Sequence, residues 1–179
     1  MNIAFIGGRA CGKSKVSRRL FYLTKRPLFQ LDELIVYEQS GMKIPEIVKK
    51  YGWEHFREVE YQVVKKVSKM HGSILDCGGG VIIDLDDSGN EIYSDRKINV
   101  LKTNSFIIWL KLDVSLVAEK IENDPDRPNL SDNKSFFEIM ERRMPFYKRA
   151  CDMEFDMKGH TKKSAAAEIS NFLNNKGIW

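Results

Sequence analysis

Residues 7–15 read Gly7-Gly8-Arg9-Ala10-Cys11-Gly12-Lys13-Ser14-Lys15 and directly follow the apolar run Asn2-Ile3-Ala4-Phe5-Ile6. Two glycines separated by four residues, followed by Lys-Ser, make up the phosphate-loop pattern. Gly7 and Gly12 let the backbone turn so that successive N–H groups face phosphate oxygens. The helix-compatible run 13–24 brings its unpaired N–H groups and positive dipole end to the same anion. Lys13 is long enough to reach the outer phosphates of a nucleoside triphosphate, and Ser14 offers a hydroxyl to Mg²⁺. The stretch therefore predicts a strand, a loop and a helix that hold ATP phosphates through Gly7, Ala10, Cys11, Gly12, Lys13, Ser14 and Lys15.

Further apolar runs at 28–31, 74–77, 106–112 and 153–157 lack polar alternation, as strands buried on both faces of a parallel sheet do. Between them apolar residues recur at helical spacing: Phe56, Val59, Val63, Val67 and Met70, then Phe136, Met140, Met144 and Tyr147, then Ala165, Ile169, Phe172 and Leu173. Alternating strands and helices predict a three-layer α/β domain. Ligands of such sheets lie beyond the carboxyl ends of the strands. That edge would carry Asp32-Glu33, Gly78-Gly79-Gly80 and Asp126-Arg127-Pro128. A glycine triplet there would let a ligand approach bare backbone. Arg57 and Glu60, three apart, can interact on a helix, although a solvated ion pair fits them equally well. Arg143 precedes Met144-Pro145, where a kink or stop is expected, and taken alone it reads as a surface charge.

Residues 84–96, DLDDSGNEIYSDR, interrupt this pattern. Asp84, Asp86, Ser88 and Gly89 have the spacing of a calcium loop, but its twelfth position is Asp95 and its eighth is Glu91. A surface hairpin turning at Ser88-Gly89-Asn90 is expected instead.

Composition narrows the class. The 179 residues, 42% apolar and 30% charged, suit one compact domain, with no apolar run of membrane-spanning length. No secretory signal precedes the first strand, so a cytoplasmic location is expected. A net charge of +4 is a mild excess and does not by itself predict a nucleic-acid partner. Cys11, Cys77 and Cys151 have neither disulfide-framework nor zinc-ligand spacing, and His55, His71 and His160 show no metal-ligand pattern.

In order along the chain, GGRACGKS, LDELI, GMKIPEI, FREVE, CGGG, DRPNL and ERRMPFY make the sequence resemble shikimate kinase over nearly its whole length. The resemblance implies a P-loop, nucleoside-kinase-like fold with a five-stranded parallel sheet, an acceptor-binding segment at about 32–70 and a mobile lid at about 120–135. It implies Mg²⁺-dependent transfer of the ATP γ-phosphate to the 3-hydroxyl of shikimate, a step of aromatic amino acid biosynthesis, by a monomer. The family's acceptor residues carry over onto Asp32, Arg57, Gly78, Gly79, Gly80 and Arg143, and its lid arginine onto Arg127. Lys13, Asp32 and Arg127 are then the catalytic set, with Lys120 a lesser candidate, and 156–164 is the segment for the base. Two arginine forks suit the single carboxylate of shikimate. Asp32 suits a hydroxyl that must be oriented or deprotonated.

The sequence departs from the family in four places. Gln30 stands where the family has the first aspartate of an Asp-x-Asp pair near the metal, so Asp76 or Glu33 would have to compensate. One residue more than usual lies between Asp32 and Gly41, which leaves Glu33 as the alternative acid. Lys15 replaces a hydroxyl residue, and 84–96 is an insertion expected to decorate the fold without changing its chemistry. Two other readings remain open: a kinase for a different anionic hydroxylated acceptor, and a non-catalytic ATP-binding regulatory protein, which Gln30 would suit.

Overall fold

The computed structural model of the chain describes residues 1–113 and 135–178. In chain order the elements are β1 (Asn2–Ile6), α1 (Lys13–Thr24), β2 (Leu28–Gln30), α2 (Leu31–Glu38), α3 (Ile44–Val67), β3 (Ile74–Asp76), β4 (Ile83–Leu85), β5 (Glu91–Tyr93), α4 (Asp95–Lys102), β6 (Ser105–Lys111), α5 (Phe136–Ala150), β7 (Met153–Asp156) and α6 (Lys162–Asn175). Five strands form one parallel sheet in the order β2-β3-β1-β6-β7. The expected apolar runs supply all of them.

β1 lies at the centre and is buried along its whole length. Successive side chains of a strand point to opposite faces. Accordingly Ile3 and Phe5 pack with Val16 and Leu20 of α1 and Ala165, Ile169 and Leu173 of α6. Ala4 and Ile6 pack on the other side with Ile35, Val63, Val64, Leu101 and Tyr147, from α2, α3, α4 and α5. Each fully buried Leu or Ile stabilises by about 1.5–3 kcal/mol, so both helical layers hold the central strand in place. The loop after β1 inherits that rigidity.

Three local expectations change. β2 ends at Gln30 and Leu31 already belongs to α2, which puts Asp32 and Glu33 in that helix's first turn, where its dipole favours acids. Pro145 does not stop α5, which runs on to Ala150. Proline in a helix interior costs about 3 kcal/mol. Burial of Ile139, Met140, Tyr147 and Ala150, together with the cap in which Ser135 Oγ accepts from the Glu138 N–H at 3.2 Å, outweighs that cost. Met70 lies beyond the end of α3 and is exposed. α3 itself is broken at Gly52 (φ 82°, ψ 170°), which separates its first turns from the part that carries Trp53, Phe56 and Arg57.

β4 and β5 form an antiparallel hairpin outside the main sheet, as expected for the insertion. Asp86 Oδ1 accepts from the N–H groups of Ser88 at 2.9 Å and Asn90 at 2.8 Å, so this acid is engaged in its own turn. Among the described residues no group of three His, Cys, Asp or Glu side chains is placed to hold a metal ion. No helix among them is long and apolar enough to cross a membrane.

Candidate active site

At the carboxyl edge of the sheet lies a cleft of about 920 Å³. One wall is the phosphate loop. Between β1 and α1 the backbone takes left-handed conformations at Ala10 (φ 60°) and Gly12 (φ 99°). A Cβ at position 7 would lie 2.6 Å from the Leu110 carbonyl oxygen, so the neighbouring strand demands the first glycine. Arg9, Ala10, Gly12, Lys13, Ser14 and Lys15 line the cleft, whereas Gly7 and Cys11 stand behind its wall, with Cys11 packed into the core. Lys13 Nζ donates to the carbonyl oxygens of Gly7 at 2.8 Å and Gly8 at 2.9 Å. Burial disfavours its charge, but Cys11, Tyr147, Asp76 and Asp32 together outweigh burial and raise its pKa above the ordinary lysine value. The loop therefore holds a fixed cation at its mouth.

The opposite wall starts where β3 runs into Gly78-Gly79-Gly80. A Cβ on Gly78 would lie 2.6 Å from Asp32 Oδ1, and one on Gly80 would lie 2.5 Å from Arg57 Nη1. A polar side chain already occupies that space at both positions, so a methyl at either would displace it. Arg57 is 5% exposed, and its Nη1 donates to Glu60 Oε2 at 2.9 Å and to the Gly80 carbonyl at 3.3 Å. Its Nε is buried without a hydrogen-bond partner among the described residues. The rings of Trp53 and Phe56 lie 5.3 and 5.1 Å from its Cζ. Arg143, 2% exposed, reaches the same cleft from α5, so it is no surface charge. Tyr147, one turn further along α5, donates to the Gly79 carbonyl at 2.5 Å. Asp32, Glu33, Arg57, the three glycines and Arg143 thus share one cleft with the phosphate loop.

Arg57 and Glu60 are a buried pair and not a solvated one. Glu60 Oε2 also accepts from Lys97 Nζ at 2.7 Å, and Lys97, fully buried, donates to the Ile83 carbonyl and lies 3.5 Å from Asp84. Asp84 in turn accepts from Ser94 Oγ at 2.6 Å and Arg96 Nε at 2.8 Å. Burial works against the Glu60 carboxylate, yet Lys97 and Arg57 outweigh it and hold its pKa below the usual value. Asp84 is likewise lowered against burial by Arg96 and Ser94, and Glu91 by Arg143 and Arg142. Carboxyls with depressed folded-state pKa values contribute stability that is full above their unfolded values, near about 4, and lost as pH falls through the folded ones. The urea midpoint is expected to change little between about pH 7 and 5 and to fall steeply below about pH 4. A midpoint flat to about pH 3 would contradict this charge network.

Near the phosphate loop, Asp76 is 6% exposed and stands beside the Ser14 hydroxyl. Burial raises its pKa, while Ser14, Lys13 and Arg18 pull the other way. A buried carboxylate next to a hydroxyl at a phosphate site fits a hard cation that takes oxygen ligands from protein and substrate. Gln30, in register with Asp76 on the neighbouring strand, accepts from Arg18 Nε at 3.0 Å, so its amide oxygen is already engaged.

Three side chains at or behind this site escape the sequence reading. Lys162 lies over the loop, its Cε 2.7 Å from where a Cβ of Gly12 would be, within the segment expected near the base. Lys97 had a signal: it falls four residues before Leu101, on the buried face of α4. Glu91 had none, because β5 turns the acid inward and leaves apolar Ile92 42% exposed. Lys120, Arg127 and the lid at about 120–135 lie outside the described residues, except for Ser135, which caps α5.

Comparison with known proteins gives the family and the fold. The family model described as shikimate kinase matches residues 9–174. The shikimate kinase of Leptospira biflexa serovar Patoc is 40% identical over 176 residues, covering 98% of this chain and 97% of the relative. That of Leptospira borgpetersenii serovar Hardjo-bovis is 42% identical over 153 residues, 84% of this chain and 86% of the relative. Among solved structures, shikimate kinase from Acinetobacter baumannii in complex with shikimate superposes with a TM-score of 0.84 at 23% identity, over 99% of this chain and 95% of that one. The Aquifex aeolicus shikimate kinase does so with a TM-score of 0.76 at 22% identity, over 99% of each chain. These two share its fold. The phosphate loop, the glycine strand and the paired arginines therefore stand in a chain that belongs to the shikimate kinase family.

Proposed function

We infer that this protein transfers the γ-phosphate of ATP to the 3-hydroxyl of shikimate, giving ADP and shikimate 3-phosphate. The observation that carries the reading is the shared cleft, with a phosphate loop on one wall and two buried arginines and an acid on the other. Arg57, with a buried Nε that lacks a partner among the described residues, and Arg143 receive the acceptor carboxylate. Gly79 and Gly80 give it close approach to the backbone. Asp32, seated against Gly78, takes the proton of the attacking hydroxyl as its oxygen bonds to the γ-phosphorus. The bond from that phosphorus to the β–γ bridging oxygen breaks, and ADP leaves. Lys13 and the loop N–H groups offset charge on the phosphoryl group in transit. Arg127, by family resemblance, adds a second cation from the lid.

Ser14 and Asp76 are the residues that would hold Mg²⁺, which when bound neutralises phosphate charge. Placing a carboxylate at Gln30, beside Asp76, adds support for that ion. Gln30→Asp is expected to lower the Mg²⁺ concentration for half-maximal rate by about tenfold. An unchanged Mg²⁺ titration would show that Ser14 and Asp76 already suffice.

Gly80→Ala places a methyl where the Arg57 guanidinium stands. A misplacement of about 1 Å can cost about 10²-fold, so kcat/KM for shikimate should fall by that order while the KM for ATP stays within about twofold. Equal loss on both substrates would point to general damage.

By family resemblance, the protein acts as a monomer in the cytoplasm on small-molecule substrates. A coupled assay for ADP release tests the acceptor. Release that depends on shikimate supports the reading, turnover only with another hydroxylated acid replaces the acceptor, and ATP binding without turnover on any acceptor removes the enzyme.

A further inference from the structure

The hairpin β4–β5, expected to decorate the fold, contributes no lining residue to the cleft but holds an arginine that does line it. Glu91, the first residue of β5, accepts from Arg143 Nε at 3.0 Å and from Arg143 Nη2. It accepts from Arg142 Nη2 at 2.7 Å as well. A guanidinium is a planar fork with donors on two edges. Glu91 engages the Nε–Nη2 edge in a paired contact and leaves Nη1 with no hydrogen bond to any described residue. Since Arg143 lines the cleft while being 2% exposed, it needs a countercharge in the fold and keeps one donor for a ligand.

From this geometry we propose that Glu91 is a positioning residue for the acceptor site: it fixes Arg143 by one edge of its guanidinium so that Nη1 meets the acceptor carboxylate opposite Arg57. A freely competing carboxylate would swing out when substrate arrives. Glu91 is instead held by two arginines, and its side chain is 13% exposed. The same hairpin backs the other arginine, because Asp84 of β4 contacts Lys97, Lys97 contacts Glu60, and Glu60 contacts Arg57. Both arginines are thus braced from the segment that interrupts the sequence pattern. The identity of the acceptor rests on the shikimate reading above, whereas the bracing does not.

The test is steady-state kinetics of the full chain with Glu91→Gln, Glu91→Asp and Arg143→Ala, and with Glu91→Gln in the Arg143→Ala background. Glu91→Gln keeps shape and removes charge. It is expected to lower kcat/KM for shikimate about tenfold, with KM for ATP within about twofold, and Glu91→Asp should recover part of the loss. With Arg143 already removed, Glu91→Gln should change kcat/KM by less than about twofold, because it acts through that arginine. An unchanged kcat/KM in Glu91→Gln would overturn the proposal. So would a raised value, which would make Glu91 a competitor for the fork, or the same tenfold loss without Arg143, which would make it a general structural residue. A wild-type enzyme that ignores shikimate would overturn the acceptor reading, and the proposal with it. Normal wild-type turnover with an unaffected Glu91→Gln would overturn the proposal alone.

Discussion

Replacing Arg57 with alanine is expected to lower kcat/KM for shikimate by about 10²–10³-fold, about 3–4 kcal/mol of transition-state binding, while ATP affinity changes by less than about twofold. The asymmetry follows from where Arg57 stands. It sits on the second part of α3, against Gly80 and under Trp53 and Phe56 on the acceptor wall. Removing one member of a buried ion pair costs about 3–5 kcal/mol when the other charge is abandoned. Here Glu60 keeps Lys97 at 2.7 Å, so the fold should lose less, on the order of 1–3 kcal/mol. Thermal unfolding measures that cost separately, and isothermal titration with ATP and then shikimate assigns the loss to one substrate. If ATP affinity collapsed together with shikimate affinity in a variant that still unfolds cooperatively, Arg57 would not be an acceptor residue. Arg57→Lys restores charge without the fork and should recover only a fraction of the activity.

Lys13→Ala should lower kcat by about 10³-fold, roughly 4 kcal/mol, with a smaller change in the KM for shikimate. Lys13 Nζ is held by the carbonyls of Gly7 and Gly8 at the cleft wall, charged and with no carboxylate within hydrogen-bonding distance among the described residues. Phosphate oxygens are stronger acceptors than these carbonyls, so a charge-assisted contact replaces a weaker one when nucleotide binds. Without the ammonium, the phosphoryl group in transit loses its nearest fixed cation. Gly7 and Gly8 are buried, so their carbonyls lose a shared donor at a cost of about 1–3 kcal/mol, and the melting temperature should fall by several degrees. Retention of more than about a tenth of the wild-type kcat would show that charge at this point is not rate-determining.

The parts of this molecule legible in the sequence are those where local pattern and tertiary role coincide. β1 and the phosphate loop read correctly because a doubly buried strand, two glycines and a helix start impose their residue types locally. Asp32, Arg57 and Arg143 were named through resemblance. Burial then distinguishes the two arginines from surface charges, and that burial depends on what α3 and α5 pack against, whereas Asp32 stays exposed in the first turn of α2. The persistence of α5 through Pro145 has the same origin: a local helix-breaking tendency yields to the packing of Tyr147 and Ala150 on the sheet. Glu91 was illegible because its role depends on which way a short hairpin faces, and a three-residue strand has too little pattern to show it. Gln30 is the reverse case. The sequence marked it as a departure at the metal, and the structure shows its amide engaged by Arg18 with Asp76 as the acid beside Ser14.

The most direct test of the central claim is phosphorus and proton NMR of the product made by the purified chain from ATP, Mg²⁺ and shikimate. The account predicts equimolar ADP and a single phosphorylated shikimate, with phosphorus coupled to the proton on carbon 3. ADP without phosphorylated shikimate, or phosphate on another hydroxyl, would contradict it.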